Sequence, residues 1–367
     1  MNASTSKLPP FRAEHVGSLL RPRRLKDAFK AAHAGDIGAG ELEDTLADCI
    51  REAIALQEDC GMQAITDGEF RRGSWFLGFV EAVGGLTTRP SKFAFSGQHS
   101  AWECPFAEAR LQRGRGIVTD DYAFIASQTG CTPKVTMPSP TAMHFWRGEE
   151  AYDSAAYEDR DAFFEDLAGI YRAELAALSK LGCTYVQLDE VPIAMLCDPK
   201  VQAAVRKRGE DPDALLARYI AVINAALAGR PTNLTVAMHL CRGNYKGQWM
   251  AEGGYAPVAE TLFQGTNVNA FFLEYDSERA GDFTPLRAMP EDKNIVLGLV
   301  CTKKSELEST DDLKRRIEEA SRFAPLERLA ISPQCGFASS AGGNPVTEDD
   351  QRRKLTLVAN VAETVWG

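Results

Sequence analysis

Side chains that could bind a metal ion stand at three places in the chain, each at the end of a short apolar run. His239 and Cys241 are two residues apart, and alternate residues of a β-strand point to the same side. Glu274 closes the run 270–274, and Cys335 follows another such run. Two thiolates, an imidazole and a carboxylate make the tetrahedral shell that zinc prefers. The sequence therefore predicts one Zn²⁺ site built from all four side chains.

Each of these residues also has an ordinary structural interpretation. A single His-x-Cys pair is more often part of a packed core, and Cys335 could be a small buried apolar residue. Glu274 could be a solvated or ion-paired carboxylate. The set favours a metal because together the four side chains complete one coordination shell. Such a site would hold an incoming thiol as its nucleophilic thiolate, with Glu274 as the exchangeable, catalytic ligand.

Eight short apolar runs would position these ligands as strands. They cover residues 11–18, 64–68, 134–138, 185–189, 235–239, 270–274, 295–300 and 329–333. Amphipathic stretches separate most of them, which predicts an α/β fold, a single (β/α)8 barrel over residues 1–367. All strand ends of such a barrel meet at one face, where active sites are built. The segment of about 76–133, rich in Gly, Ser and Arg, is predicted to be an inserted hairpin or lid.

Further polar residues end or follow the predicted strands and would join the metal ligands at that face. They are His15, Gly17, Ser18, Asp67, Glu69, Ser139, Asp189, Glu190 and Lys303. His15 could contact the substrate or act as an acid, although a single histidine is more often a hydrogen-bonded core residue. Lys303 could bind an anionic tail, although most lysines are solvated.

A basic and aromatic segment follows Glu69 in the sequence. Arg71, Arg72, Trp75 and Phe76 could form a wall for a folate or another anionic group. The alternative is a pair of surface arginines beside core aromatic residues. The sequence leaves both interpretations open.

Composition and charge restrict the class of partner. The chain of 367 residues is 44% hydrophobic and 25% charged, which is ordinary for a globular protein. Its net charge of -10 disfavours a nucleic-acid surface. Residues 1–10 lack the pattern of a signal peptide, no apolar run is long enough for a membrane span, and the nine cysteines do not form a disulfide pattern. We expect a cytoplasmic protein acting on small molecules, and a homo-oligomer stays open.

At these residues the sequence resembles the C-terminal catalytic barrel of cobalamin-independent methionine synthase, within a group that includes epoxyalkane:coenzyme M transferases and short methionine-synthase-like proteins. The resemblance runs from His15 to Cys335. It implies a (β/α)8 barrel whose zinc ligands are His239, Cys241, Glu274 and Cys335. It also implies a homocysteine pocket formed by Gly17, Ser18, Glu69 and Asp189, in which two carboxylates grip the ammonium group and Ser18 receives the carboxylate.

The chain departs from that family at positions that concern the methyl donor. Full-length enzymes carry a second, N-terminal barrel that helps to hold folate polyglutamate, and we expect no such barrel here, because the resemblance is to the C-terminal barrel alone. Where they carry a histidine after the seventh strand, this chain reads Cys301-Thr302-Lys303-Lys304. The third strand ends Met137-Pro138-Ser139, another variation at the position of the folate ring. The donor could be a methyltetrahydrofolate, a methylated corrinoid on a partner protein, or another electrophile.

Three functions compete on the sequence alone. The first is a zinc-dependent methyltransferase that converts homocysteine or a related thiol to its thioether. The second is an alkyltransferase of the coenzyme M type, whose sulfonate substrate needs a cationic pocket and is disfavoured by Glu69 and Asp189. The third is a non-catalytic zinc barrel or a corrinoid-protein binding module, which the fold does not exclude.

Overall fold

Parallel strands form the wall of a barrel in the computed structural model, which describes residues 8–93 and 102–367. The strands are β1 (Ala64–Ile65), β2 (Val83–Pro90), β3 (Glu103–Arg113), β4 (Thr132–Pro133), β5 (Val135–Pro138), β6 (Tyr185–Glu190), β7 (Thr235–Leu240), β8 (Ala270–Glu274), β9 (Asn294–Val300) and β10 (Leu329–Pro333). The last six pair in sequence order, each parallel to the next. They are buried at nearly every position, as expected of strands with helices on one face and the barrel interior on the other.

The first two predicted strands close the barrel less regularly. Residues 11–18 contribute one parallel bridge, between Ala13 and Ile331, and β1 pairs parallel with β4. The Thr66 hydroxyl donates to the Gly17 carbonyl at 2.7 Å and links these two segments. The predicted (β/α)8 fold is confirmed. The predicted first strand is wrong as a regular strand, because several of its backbone groups bond to side chains instead of a neighbouring strand.

The interior of the barrel is packed and contains a buried ion pair. The apolar side chains of this interior cluster are Phe11, Val16, Ala64, Tyr185, Ala237, Ala270, Phe272, Val296 and Ala330. Lys134 Nζ lies 3.1 Å from Glu14 Oε2, both side chains are fully buried, and the Tyr185 hydroxyl donates to Glu14 at 2.9 Å. Packed side chains therefore fill the barrel interior and form the floor of any cavity at the strand ends.

Helices surround the strands. They are α1 (Arg23–Ala34), α2 (Ala39–Asp59), α3 (Leu77–Ala82), α4 (Thr119–Gln128), α5 (Arg160–Lys180), α6 (Pro192–Met195), α7 (Pro199–Lys207), α8 (Pro212–Leu227), α9 (Ala259–Gly265), α10 (Thr310–Ser321) and α11 (Glu348–Trp366). In the described part of the chain, none of them has the length and apolarity that crossing a membrane requires.

The predicted insertion contains an antiparallel hairpin made of β2 and β3. The helix α4, also inside the predicted range 76–133, packs against α2 and α5 and so belongs to the ring of barrel helices. The hairpin itself is therefore shorter than the predicted insertion. Its action as a lid stays a prediction.

Candidate metal centre and substrate cavity

Three potential metal ligands meet at the mouth of the barrel. His239 lies in β7, Cys241 follows that strand directly, and Cys335 lies just beyond the end of β10. The sulfur atoms of the two cysteines are 3.6 Å apart, and the ligand atoms of all three residues lie within 4.8 Å of one another. All three are buried, and neither ring nitrogen of His239 meets a partner at hydrogen-bond geometry. The cluster can therefore hold a metal ion.

The electrostatics of this cluster favour a thiolate on Cys335. The hydrogen bond with the Cys241 thiol, together with the neighbouring His239, holds the pKa of Cys335 well below its usual range despite burial. The same hydrogen bond and burial raise the pKa of Cys241 well above its usual range. Burial lowers the pKa of His239, but the interactions with Cys335 and with two carboxylates outweigh burial and raise it. A thiolate is the form of cysteine that binds metals.

Glu274 ends β8 beside the cluster, but its carboxylate is bound to cations. Oε1 accepts from Arg279 and, at 3.4 Å, from Lys303, while Oε2 accepts from the backbone N–H of Arg242 at 3.1 Å. Burial raises the pKa of Glu274, but the charges of Lys303, Arg279 and Arg242 outweigh it and lower that pKa to about 2. The structure therefore does not bring the predicted fourth ligand into the three-residue cluster. Its role as an exchangeable ligand stays a prediction.

Lys303, which the sequence suggests as a possible contact to an anionic tail, does not line the cavity in the part of the chain that the structure describes. Its ammonium group pairs with the fully buried Glu274 carboxylate, because a buried carboxylate requires compensation by a positive charge. Arg242 and Arg279 complete this compensation. Arg279 was missed in the sequence, because it lies in a short 3-10 helix (Glu278–Ala280) after β8, where no periodic pattern indicates which way a side chain points.

Two carboxylates line the same cavity as the metal-ligand cluster, and this cavity has a volume of about 240 Å³. Asp189 lies in β6, and burial followed by the charge of Glu69 raises the pKa of Asp189 to about 7. Glu69 lies 2.7 Å from the guanidinium of Arg72 and accepts from the Thr136 hydroxyl at 2.9 Å. Two neighbouring carboxylates, of which Glu69 is paired with Arg72, attract a substrate ammonium group.

Two glycines let the chain approach this part of the cavity closely. Gly17 has a φ of 140°, and a Cβ at this residue would lie 2.9 Å from Glu69 Oε1. A Cβ on Gly336 would overlap the hydroxyl of Ser18. Gly336 therefore allows Ser18 to lie directly beside Cys335. We call the following group the polar side of the cavity: Ser18, Glu69, Asp189, His239, Cys241 and Cys335.

Four aromatic residues form another part of the cavity lining, here called the aromatic wall: Trp75, Phe76, Trp102 and Trp146. Successive ring centroids are 5.5, 6.1 and 4.8 Å apart in edge-to-face arrangements. No lysine or arginine lines the cavity within residues 8–93 and 102–367. Trp75 and Phe76 were expected from the sequence. Trp102 and Trp146 were missed, because a tryptophan in a long insertion or after a strand carries no directional signal.

His15 and Asp67 do not line this cavity. The His15 imidazole lies 3.0 Å from the Ala64 carbonyl, and burial, followed by the charge of Lys134, lowers its pKa to about 3. His15 is therefore a neutral core residue in this position, and the predicted acid role is not supported by its contacts. The Asp67 carboxylate accepts from the backbone N–H of Glu69 at 2.9 Å and so stabilises the turn after β1.

The two predicted basic residues of the wall lie outside the cavity. Arg71 pairs with Glu43 at 2.6 Å and with Asp121 at 3.3 Å, and Arg72 pairs with Glu69. Both arginines line a separate, polar cavity. Of the two interpretations that the sequence leaves open, these contacts favour arginines that do not form the wall, because neighbouring carboxylates hold both guanidinium groups.

Ser139 and Glu190 also lie outside the cavity lining. The Glu190 carboxylate accepts from the Thr141 hydroxyl at 2.5 Å and from the backbone N–H of Ile193 at 2.7 Å, and it also bonds to Ser139. Burial nevertheless raises the pKa of Glu190 to about 7. These hydrogen bonds fix the loop after β6, and Glu190 does not contact the space in which a substrate fits.

Comparisons with known proteins show the family to which this chain is similar. The model of the family described as cobalamin-independent synthase, catalytic domain, matches residues 11–363. The uncharacterized protein YxjH of Bacillus subtilis is 41% identical over 361 residues, covering 97% of this chain and 95% of its own. A methionine synthase of Pyrococcus abyssi is 26% identical over 338 residues, covering 90% of this chain and 87% of its own.

A solved structure is similar over nearly the whole chain. It is that of a candidate vitamin-B12-independent methionine synthase from Listeria monocytogenes. The two chains are 33% identical, the match covers 98% of this chain and 99% of the other, and the TM-score is 0.79. Both the barrel and the order of its elements are therefore shared with that protein.

Proposed function

This chain belongs to the family of cobalamin-independent synthase catalytic domains, and on that premise we propose that it is a zinc-dependent methyltransferase that methylates the thiol of homocysteine. The observation that carries the proposal is the position of the His239, Cys241 and Cys335 cluster in one cavity with Glu69 and Asp189. A soft metal site supports thiol chemistry, and two carboxylates beside it support an amino-acid substrate. The methionine synthase of Pyrococcus abyssi, which is 26% identical, is in keeping with this proposal.

The three-residue cluster fits zinc. Two thiolate sulfurs held at about 2.3 Å from a tetrahedral Zn²⁺ lie about 3.8 Å apart, and the sulfurs of Cys241 and Cys335 are 3.6 Å apart. His239 has two buried ring nitrogens without a partner at hydrogen-bond geometry, so one nitrogen is available as a third ligand. When bound there, zinc would supply the positive charge that keeps a substrate thiol deprotonated at neutral pH.

The residues around the cluster would bind the rest of the amino acid. Glu69 and Asp189 would accept hydrogen bonds from the ammonium group, whose charge lowers the cost of keeping Asp189 ionised. The Ser18 hydroxyl would donate to the substrate carboxylate. A sulfonate thiol of the coenzyme M type would instead face these two carboxylates, which is unfavourable.

Glu274 would be the exchangeable ligand of this site. Its carboxylate accepts hydrogen bonds from the side chains of Arg279 and Lys303 and from the backbone N–H of Arg242. These contacts give the carboxylate a second stable position when it is not a metal ligand. We expect the two side-chain cations to keep Glu274 ionised in either position.

The proposal is tested by measuring zinc content and the zinc X-ray absorption spectrum in one sample, before and after L-homocysteine is added. Roughly one zinc per chain, with a shell that gains a sulfur ligand on addition of homocysteine, is the expected result. A protein without zinc, or a shell that does not change with homocysteine, contradicts the proposal. This measurement does not depend on the identity of the methyl donor.

A further inference from the structure

The aromatic wall lies in the same cavity as the polar side, and no proposed contact to homocysteine uses it. Trp75 and Trp102 are partly exposed, whereas Phe76 and Trp146 are buried. Neighbouring rings of the wall pack edge to face, with interplanar angles of 80°, 61° and 77°, so the wall contains rings in more than one orientation. The wall is therefore suited to a compact second substrate.

One carboxylate lies next to the wall. Glu103 directly follows Trp102, at the start of β3, and is exposed. The other two carboxylic residues of the cavity lining, Glu69 and Asp189, belong to the polar side, and no lysine or arginine lines the cavity in the described ranges 8–93 and 102–367. Aromatic faces beside a carboxylate attract an organic cation by cation–π and Coulomb interactions.

We propose that the aromatic wall binds the methyl donor through an onium centre, either a sulfonium or a quaternary ammonium group. This inference rests on the proposed function, because it takes a homocysteine thiolate on the polar side as the methyl acceptor. The shared chemistry is a methyl group on a positively charged sulfur or nitrogen. An anionic folate polyglutamate lacks the matching charge at this wall.

The reaction balances without a further reactant. A bond forms between the homocysteine sulfur and the methyl carbon, and the bond from that carbon to the onium sulfur or nitrogen breaks. Its electron pair goes to the leaving atom, so that a neutral thioether or tertiary amine departs and needs no proton. Thiolate and onium charges neutralise each other as the bond forms, and a cavity that excludes water favours such a reaction over the same reaction in water.

Unpartnered polar atoms indicate that the donor also carries a hydrogen-bonding group. Trp146 Nε1, Ser74 Oγ and Asn244 Oδ1 are buried, belong to residues that line the cavity, and have no hydrogen-bond partner. A hydroxyl or carboxylate on the donor would accept from the indole N–H. A buried polar group without a partner is costly, so ligand binding that satisfies these atoms is favoured.

The first test compares charged ligands with a neutral ligand of the same shape, by titration calorimetry on the full chain. Choline and (2-hydroxyethyl)dimethylsulfonium are the two onium probes, and 3,3-dimethylbutan-1-ol is the uncharged isostere of choline. We expect at least one onium probe to bind about tenfold more tightly than the isostere. Equal binding of the isostere, or binding of neutral pterin with exclusion of both onium probes, overturns the inference.

A pair of variants tests the wall itself. Trp102→Leu keeps an apolar side chain but removes the ring, whereas Trp102→Phe keeps a ring. We expect Trp102→Leu to weaken onium binding by about 2- to 30-fold and Trp102→Phe to retain most of it. Trp102 lies on the hairpin, outside the barrel core, and circular dichroism checks that both variants fold. Unchanged onium binding in folded Trp102→Leu overturns the inference.

Methyl transfer separates the inference from the proposed function. The zinc-loaded protein is incubated with L-homocysteine and each onium probe, and methionine is measured together with 2-(methylthio)ethanol or dimethylaminoethanol. Methionine with the matching leaving group supports the inference and identifies sulfonium or ammonium as the source. If homocysteine joins the metal shell but neither probe yields methionine, the inference fails while the proposed function stands. If homocysteine does not join the shell, the proposed function fails, whatever the onium titrations give.

Discussion

The polar side and the aromatic wall share one cavity but come from different parts of the architecture. Most residues of the polar side lie in the barrel strands or within two residues of their ends, as His239, Cys241 and Cys335 do after β7 and β10. The residues of the aromatic wall lie in segments between the barrel strands. Trp75 and Phe76 precede α3, Trp102 directly precedes β3 of the hairpin, and Trp146 lies after β5. Strand ends therefore hold the metal ligands, and connecting segments shape the rest of the cavity.

This difference distinguishes residues whose positions follow from the fold itself from residues that can vary between chains of the same fold. Strand ends of a parallel barrel converge whatever the loops contain. The loops, in contrast, set which second molecule can approach the metal-ligand cluster. If the division is correct, changes on the polar side affect metal and thiol binding, and changes on the aromatic wall affect the donor alone.

The largest effect is expected from Cys335→Ser. A serine hydroxyl is a poor ligand for a soft metal, so zinc affinity should fall by more than the 10- to 100-fold that is typical when a group orienting a ligand is lost. Methyl transfer should be lost, while the fold survives because the core contacts come from the strands and helices. Elemental analysis and circular dichroism measure both. Cys131→Ser, at an exposed cysteine, is the matched control, and a Cys335→Ser protein with full zinc and full activity contradicts the prediction.

Asp189→Asn should weaken the binding of the substrate ammonium group without removing zinc. The loss of a hydrogen bond to a charged group, about 1.5–3 kcal/mol, corresponds to a decrease in kcat/KM for homocysteine of about 10- to 150-fold. The control is 4-mercaptobutanoate, which lacks the ammonium group and should react equally with both proteins. An equal loss with both thiols would show that Asp189 acts on the sulfur or on the fold.

The pH dependence of binding sharpens this prediction. Burial raises the pKa of Asp189 to about 7, so the carboxylate gains its charge as the pH rises through that value. An ammonium ligand binds the ionised form, and its affinity should therefore increase from about pH 6 to pH 8. Methionine is the suitable probe, because it carries the ammonium group without a titrating thiol. Calorimetric titrations of Asp189→Asn should show no such increase.

Gly336→Ala should have a smaller effect, confined to the polar side. A Cβ at this position overlaps the Ser18 hydroxyl, and overpacking of this kind costs about 1–3 kcal/mol. We expect weaker homocysteine binding with unchanged onium binding. Ser18→Gly in the same chain should relieve the overlap, and a double-mutant cycle measures this coupling. Additive effects of the two substitutions would contradict the close approach.

The sequence predicted the polar side well because of two regular features of the fold. Period-two alternation puts His239 and Cys241 on one side of a strand, and the barrel brings the ends of distant strands together. The contacts of Glu274 could not be predicted in the same way. Arg279 and Lys303 reach it from loops, and the direction of a loop side chain depends on tertiary packing that no local pattern encodes.

The segment 11–18 and the aromatic wall illustrate the same limit. The segment 11–18 was predicted as a strand from its composition, yet much of its hydrogen bonding is to side chains. Trp102 and Trp146 meet at 4.8 Å across 44 positions of sequence only because the hairpin folds back on the barrel. For the basic and aromatic segment after Glu69 the sequence left two interpretations open, and the structure divides the segment. Its aromatic residues line the cavity, and its arginines do not.

That division gives the smallest expected effect. Arg71 is held by Glu43 and Asp121 beside the separate, polar cavity, so Arg71→Ala should leave the KM values for thiol and donor within about twofold of the unchanged protein. Its ion pairs are partly exposed, and their loss should lower the free energy of unfolding by about 1 kcal/mol or less. Steady-state kinetics and urea unfolding measure the two quantities. A large rise in the KM of the donor would place Arg71 in the donor site after all, and the aromatic wall would then no longer be the part of the molecule that selects the second substrate.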